Sequence, residues 1–214
     1  MTSVSQYFFH RPRVAISLLI ITHVAGVIGI LTSYSELFLF LTPVNLLLSC
    51  LLLLSGHSNT TKKTVFGLAL VGVIGFLVEW IGVHTGIIFG EYSYGATLGP
   101  KLDEIPIIIG VNWLILTYAI GNFIARFIQK TWIRVSLGAL FMVGLDVLIE
   151  PVAIRYDMWS WASEGVPMMN YIAWFVVSLI TMSIYFKYVH GSNNKIAEWV
   201  ILVQVLFFGL LNFV

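Results

Sequence analysis

The sequence predicts an all-α, polytopic membrane bundle of about seven transmembrane helices with a cytoplasmic N-terminus, and three observations predict it. First, 10% of its 214 residues are charged and 59% are hydrophobic, whereas soluble domains carry roughly a quarter charged residues. Second, apolar runs near the length that crosses a bilayer, about 20 residues, recur from one end of the chain to the other. Third, the basic residues gather at alternate ends of those runs.

The spans fall at roughly 14–32, 36–54, 64–83, 105–125, 132–150, 168–188 and 196–214. The connections leave no room for a soluble domain, so residues 1–214 are expected to form a single integral-membrane domain. Arg11 and Arg13 precede the first span, and Lys62 and Lys63 precede the third. Arg126, Lys130 and Arg134 lie between the fourth and fifth, and Lys187 and Lys195 between the sixth and seventh. Only Lys101 and Arg155 fall on the opposite side. The positive-inside rule then places the N-terminus in the cytoplasm and the C-terminus outside the cell membrane. Nine of the ten carboxylates belong to the outer half, with Glu198 alone inside. The first apolar run is too long for a signal-peptide core, and no small-residue cleavage site follows it.

Composition excludes several classes. Cys50 is the single cysteine, so neither an internal disulfide nor a thiolate cluster can form. A net charge of +1 gives no basic face for nucleic acid, and no phosphate-binding loop or nucleophile elbow is present. The seventh span has no lysine for a retinal-type Schiff base. The histidines are scattered in depth: His84 near the outer surface, His23 in mid-span, and His10, His57 and His190 inside. No metal is therefore expected, the metal alternative being His84 together with nearby carboxylates.

Two outer loops are long, residues 84–104 and 151–167, and they are rich in Tyr, Trp and acidic residues, with five of the ten carboxylates of the chain. Interfacial belts account for some of those aromatics. Gly82, Gly86 and Gly90 recur every four residues, a spacing that favours close helix packing. The loops also echo one another. Each follows a helix ending in a carboxylate, and each precedes a helix opening "IPIIIGVNW" (105–113) or "VPMMNYIAW" (166–174).

The carboxylates carry the chemistry. Asp146 and Glu150 are four residues apart and share one helix face. Pro151 is expected to end the span at Glu150, which puts Asp146 about 6 Å below that end at 1.5 Å per residue. Glu79 lies similarly near the end of its own span, and Asn112 somewhat deeper on the fourth, so the four meet at one level. A charge at membrane depth is costly and marks function. Burial, like-charge proximity and the negative end of each helix dipole all favour the neutral acid, the form that protonates an unreactive group. The structural alternative is a pair of ion pairs, Arg155 with Glu150 and His84 with Glu79.

Three ordered segments, "EWIGVHTGIIFGEYSYGATLGPKL", "IPIIIGVNWLILTY" and "DVLIEPVAIRYDMWSW", resemble the signatures of the integral-membrane carotenoid biosynthesis family. Its members include hydratases of the gamma-carotene 1',2'-hydratase and bisanhydrobacterioruberin hydratase type. The resemblance covers about residues 64 to 188. It implies addition of water to the terminal isopropylidene double bond of an acyclic carotenoid, without a cofactor. The partners expected are that carotenoid, water and the lipid bilayer; the oligomeric state is not specified. Asp146 is expected to donate the proton and Glu150 to handle water, with Glu79 and His84 holding the network. Asn112 and Asn170 position water. Trp80, Trp113, Trp159, Trp161, Trp174, Tyr92 and Tyr94 line a slot for the polyene, where ring faces also stabilise a tertiary cation. Two alternatives remain open: a cyclase-like isomerase using the same acid, and a carotenoid-binding or transport bundle.

Overall fold

The computed structural model describes residues 12–214; His10 and Arg11 lie outside them. The described residues form eight helices: α1 (Pro12–Ile30), α2 (Ser35–Phe40), α3 (Thr42–Ser55), α4 (Lys62–Thr85), α5 (Ile108–Ala125), α6 (Thr131–Arg155), α7 (Met168–Tyr188) and α8 (Lys195–Asn212). Four short strands lie in the connections: β1 (Tyr92–Tyr94), β2 (Lys101–Leu102), β3 (Ile105–Pro106) and β4 (Trp159–Trp161). Six helices, α1 and α4 through α8, are long and apolar enough to cross a membrane. Many of their exposed side chains are large and apolar, Ile21, Val73, Leu140 and Ile180 among them, and such a surface is suited to lipid rather than water.

The second predicted span differs from expectation. It is divided into α2 and α3 at Leu41, with Pro43 in the first turn of α3. Proline has no N–H to give, and its ring collides with the carbonyl four residues back, so α2 cannot run on. The 14 residues of α3 reach about 21 Å at 1.5 Å per residue, short of a hydrocarbon core of about 30 Å. The fifth span corrects the sequence reading the other way. Pro151 lies inside α6, which runs on to Arg155. Membrane helices tolerate an interior proline when neighbours satisfy the freed groups. Asp146 and Glu150 therefore lie inside a helix, not at its tip, and the macrodipole, which fades within a turn, contributes less than the sequence suggested.

Helices α4, α5, α6 and α7 form the centre. α4 packs on α5 and α7, and α6 packs on α7 and α5; α3 and α8 lean on α5 from outside, and α1 packs on α8. Helices α4 and α5 approach closely at Gly110, where a Cβ would sit 2.6 Å from the carbonyl oxygen of Gly72. The Gly82, Gly86 and Gly90 series does something else. Gly86 ends α4 with φ +65°, and Gly82 makes room for the ring of Phe89. The series shapes the loop after α4, not a helix–helix seam.

That loop and the one after α6 are joined. β1 and β4 pair antiparallel in the register Tyr92 to Trp161, Ser93 to Ser160 and Tyr94 to Trp159. The Gly95 N–H extends the ladder to the Met158 carbonyl, and the Thr97 hydroxyl reaches the Tyr156 carbonyl. Because side chains alternate across a strand, Tyr-Ser-Tyr against Trp-Ser-Trp segregates cleanly. Ser93 and Ser160 face out, and the four rings turn toward the bundle.

Candidate active site

Beneath this aromatic ribbon lie three buried carboxyl groups: Glu79, Asp146 and Glu150 are 5%, 0% and 2% exposed. Each glutamate accepts three hydrogen bonds. Glu79 Oε2 takes the hydroxyls of Tyr92 at 2.6 Å and Tyr94 at 2.7 Å, and its Oε1 takes the indole N–H of Trp113 at 2.9 Å. Glu150 Oε2 takes the indole N–H groups of Trp159 and Trp161, both at 3.0 Å. The Asn170 amide bridges the other pair, giving 2.7 Å to Asp146 Oδ2 and 3.3 Å to Glu150 Oε1. Asp146 Oδ1 is buried with no hydrogen-bond partner among the described residues.

The donors are fixed in kind. Tyr92 and Tyr94 stand outside the spans, and their phenols are pushed well above the ordinary tyrosine value, by burial first and the adjacent Glu79 second. They stay protonated and keep donating. Indole N–H groups can only donate. The Glu79 clamp, built from three side chains that keep donating, suits an anion, whereas Glu150 shares the Asn170 amide with Asp146, so this carboxyl pair can hold one proton between them.

Neither expected ion pair forms. Arg155 gives its Nη1 to the Leu211 carbonyl at 2.9 Å. His84 pairs with Asp103, Nε2 to Oδ2 at 3.5 Å, and its Nδ1 meets the Trp80 carbonyl. Trp80 also donates to Asp103. His84 and Trp80 are therefore drawn to the loop surface, away from the carboxyl cluster, and the metal alternative built on His84 loses its histidine. Among the described residues no salt bridge reaches Glu79, Asp146 or Glu150.

Two spaces that share part of their walls lie beside the cluster. A chamber of about 30 Å³ is bounded by Glu79, Glu150, Asn112, Asn170 and rings including Trp113, Trp161 and Trp174. A cavity of about 280 Å³ opens between α1, α3 and α8. Ile109, Asn112 and Trp159 line both. A site for one water needs roughly 10–15 Å³ and polar partners, so the chamber is large enough for water, and the larger cavity is lined mostly by apolar side chains. Asp146 lines neither space; it stands behind Glu150, joined to it through Asn170. Trp113 and Trp174 stack at 4.4 Å against the chamber.

The sequence singled out every carboxyl, asparagine and tryptophan of the chamber. It missed that Tyr92 and Tyr94 bind Glu79, which "YSY" and "WSW" following Glu79 and Glu150 could have signalled. It also missed the cavity wall from α1 and α8, where hydropathy alone gives no signal.

Fold and site together define a membrane-embedded helical bundle with buried carboxyl groups around a small chamber that shares wall residues with a larger, mostly apolar cavity. A family profile described as "Carotenoid biosynthesis protein" matches residues 34–214, and the chain belongs to that family. It is also similar to a bisanhydrobacterioruberin hydratase of Haloarcula japonica, 27% identical over 133 residues, covering 56% of this chain and 44% of that protein. The match thus spans less than half of the relative. No solved structure matches the chain.

Proposed function

We propose that the protein is a carotenoid hydratase that adds water to the terminal isopropylidene double bond of an acyclic carotenoid. The observation that carries this reading is the carboxyl cluster: two glutamates in three-donor clamps, a third carboxyl beside them, and no cationic side chain paired with any of the three among the described residues. Buried charge without a partner is costly. A site arranged this way is ready to stabilise a positive charge that arises in the reaction.

The chain end lies in the apolar cavity with its alkene at Asn112 and Trp159. The Asp146–Glu150 pair holds the acidic proton. Glu150 faces the chamber and delivers that proton to the less substituted alkene carbon. Asp146 is a positioning residue acting through Asn170, a reversal of the order expected from sequence. The tertiary cation is held by Glu79 and the ring of Trp159. A water in the chamber, oriented by Asn112 and Asn170, adds through its oxygen, and the proton it sheds returns to the carboxyl pair. Atoms balance, and no cofactor enters. Room for water beside the alkene supports hydration over cyclisation, which would need the same acid but a dry site.

The basic starts of α4, α6 and α8 favour the cytoplasmic side for those helix ends, which supports a site in the outer half of the membrane. Expression in a lycopene-producing host tests the reading. Pigment heavier by one water supports it; pigment of altered chromatographic behaviour but unchanged mass indicates cyclisation, and unaltered pigment held by the protein indicates a binding role.

A further inference from the structure

The large cavity is not uniformly apolar. His23 from α1 and Gln204 from α8 line it and are 6% and 5% exposed. Asn45 from α3 lines it too, and its Oδ1 is buried with no hydrogen-bond partner among the described residues. The His23 Nδ1 meets the Leu19 carbonyl at 2.8 Å. A carbonyl only accepts, so Nδ1 carries the hydrogen and the neutral ring leaves Nε2 as an acceptor. The Gln204 amide makes no side-chain hydrogen bond among the described residues. Three helices thus bring hydrogen-bonding groups to one space otherwise walled by residues such as Ile30, Phe38, Leu46, Phe207 and Phe208. None of this serves the carboxyl cluster. In a membrane interior polar groups of this kind are retained where they have a partner.

We infer that His23, Asn45 and Gln204 form a subsite for a hydroxyl oxygen carried by the isoprenoid chain end, so that the cavity prefers acyclic isoprenoids already bearing a hydroxyl over the corresponding hydrocarbons. A hydroxyl donates once and accepts twice. It gives its one hydrogen to the Asn45 Oδ1 or the His23 Nε2 acceptor and accepts from the Gln204 amide, which can both give and take. An all-hydrocarbon chain would strand all three. His23 lies before residue 34, where the family match begins, while Asn45 and Gln204 lie within it, so only the α1 side of this wall lies outside the family profile. The inference rests on the proposed function only in taking the cavity as the seat of the chain end.

The same groups could instead hold water, and binding distinguishes the two. The full chain in lipid nanodiscs is equilibrated with geraniol or farnesol and with the hydrocarbons of matching length, myrcene and farnesene. Bound ligand is counted in excess over empty nanodiscs. The alcohols are expected to bind about tenfold more tightly than the hydrocarbons, the worth of one good hydrogen bond. Gln204→Leu and Asn45→Leu should bring that ratio toward one while leaving hydrocarbon binding intact, which also reports that the variants are folded. His23→Gln, which keeps an acceptor, should retain more of the preference than His23→Leu. Equal binding of alcohol and hydrocarbon by the wild-type chain overturns the inference, whether or not a variant folds. So does a preference that survives in both leucine variants, because the polar groups then hold water alone. Hydration of lycopene is scored separately. A chain that hydrates nothing yet prefers alcohols contradicts the proposed function and leaves the subsite standing; the converse result does the reverse.

Discussion

Trp113 and Trp174 stack face to face, ring centres 4.4 Å apart and planes 25° from parallel, and each lies seven residues after the proline that precedes its helix, Pro106 or Pro167. Two helical hairpins, α4–α5 and α6–α7, thus meet through matching residues. Each carries a glutamate, Glu79 or Glu150, clamped by the aromatic pair of its own following loop. The faint echo between the two loops in the sequence is a structural correspondence. One break bears on the chemistry: the four-residue step back from Glu150 reaches Asp146, while the same step from Glu79 reaches Gly75, whose Cβ would collide with Trp113. Only one half therefore has a carboxyl pair, and that asymmetry is why the acid is assigned to Asp146 and Glu150.

The clamp on Glu79 predicts an uneven response to isosteric change. Glu79→Gln replaces one acceptor oxygen with an N–H₂ group facing donors from Tyr92, Tyr94 and Trp113. At least one of them is stranded, at about 1–3 kcal/mol for an unsatisfied buried group. Thermal unfolding in detergent should show a clear loss of stability, whereas a Glu79→Gln protein as stable as wild type would mean that the clamp contributes little.

Tyr92 and Tyr94 predict an alkaline limit. Their folded-state phenols hold the proton above the ordinary value near 10, so the folded state binds protons more tightly than the unfolded chain. Their contribution to stability is complete below about pH 10 and falls as pH rises above it. Tyr94→Phe should flatten part of that alkaline decline in a pH series of unfolding. An unchanged slope would detach Tyr94 from it.

Much of this was legible in the chain. Hydropathy gave the bundle, and four-residue spacing put Asp146 and Glu150 on one face. The second span was read straight through Pro43, where it breaks, and the fifth was ended at Pro151, where it runs on, because packing inside a bundle overrides a local preference. His84 misled for a related reason. Its nearness to Glu79 in sequence suggested a partner, but at the end of α4 the exposed Asp103 is within reach and the buried glutamate is not. Pairing of Tyr-Ser-Tyr with Trp-Ser-Trp joins segments 67 residues apart, and no local signal encodes a contact of that range.

His84 provides a negative control. It pairs with Asp103 at the surface, so His84→Asn should change hydration little, and exhaustive chelation should leave activity in place. Activity lost on chelation and restored by one divalent ion would put a metal into the account.

Orientation is testable without pigment. A reporter fused after Val214 should be extracytoplasmic, and one placed in the 56–61 connection cytoplasmic. The opposite result at both positions would invert the bundle and move the site to the inner leaflet.

The central claim is that Glu150 delivers a proton to the alkene and water captures the cation. It is tested most directly by pigment mass in cells producing an acyclic carotenoid in heavy water. Wild-type product should gain one water and fix one deuterium on carbon, beside the new hydroxyl. Glu150→Gln, at equal membrane level, should form it at least 10²-fold more slowly. Asp146→Asn should lose less, and the double variant should be no worse than Glu150→Gln alone, as for residues acting as a unit. A Glu150→Gln protein that makes the deuterated alcohol at the wild-type rate would contradict the account.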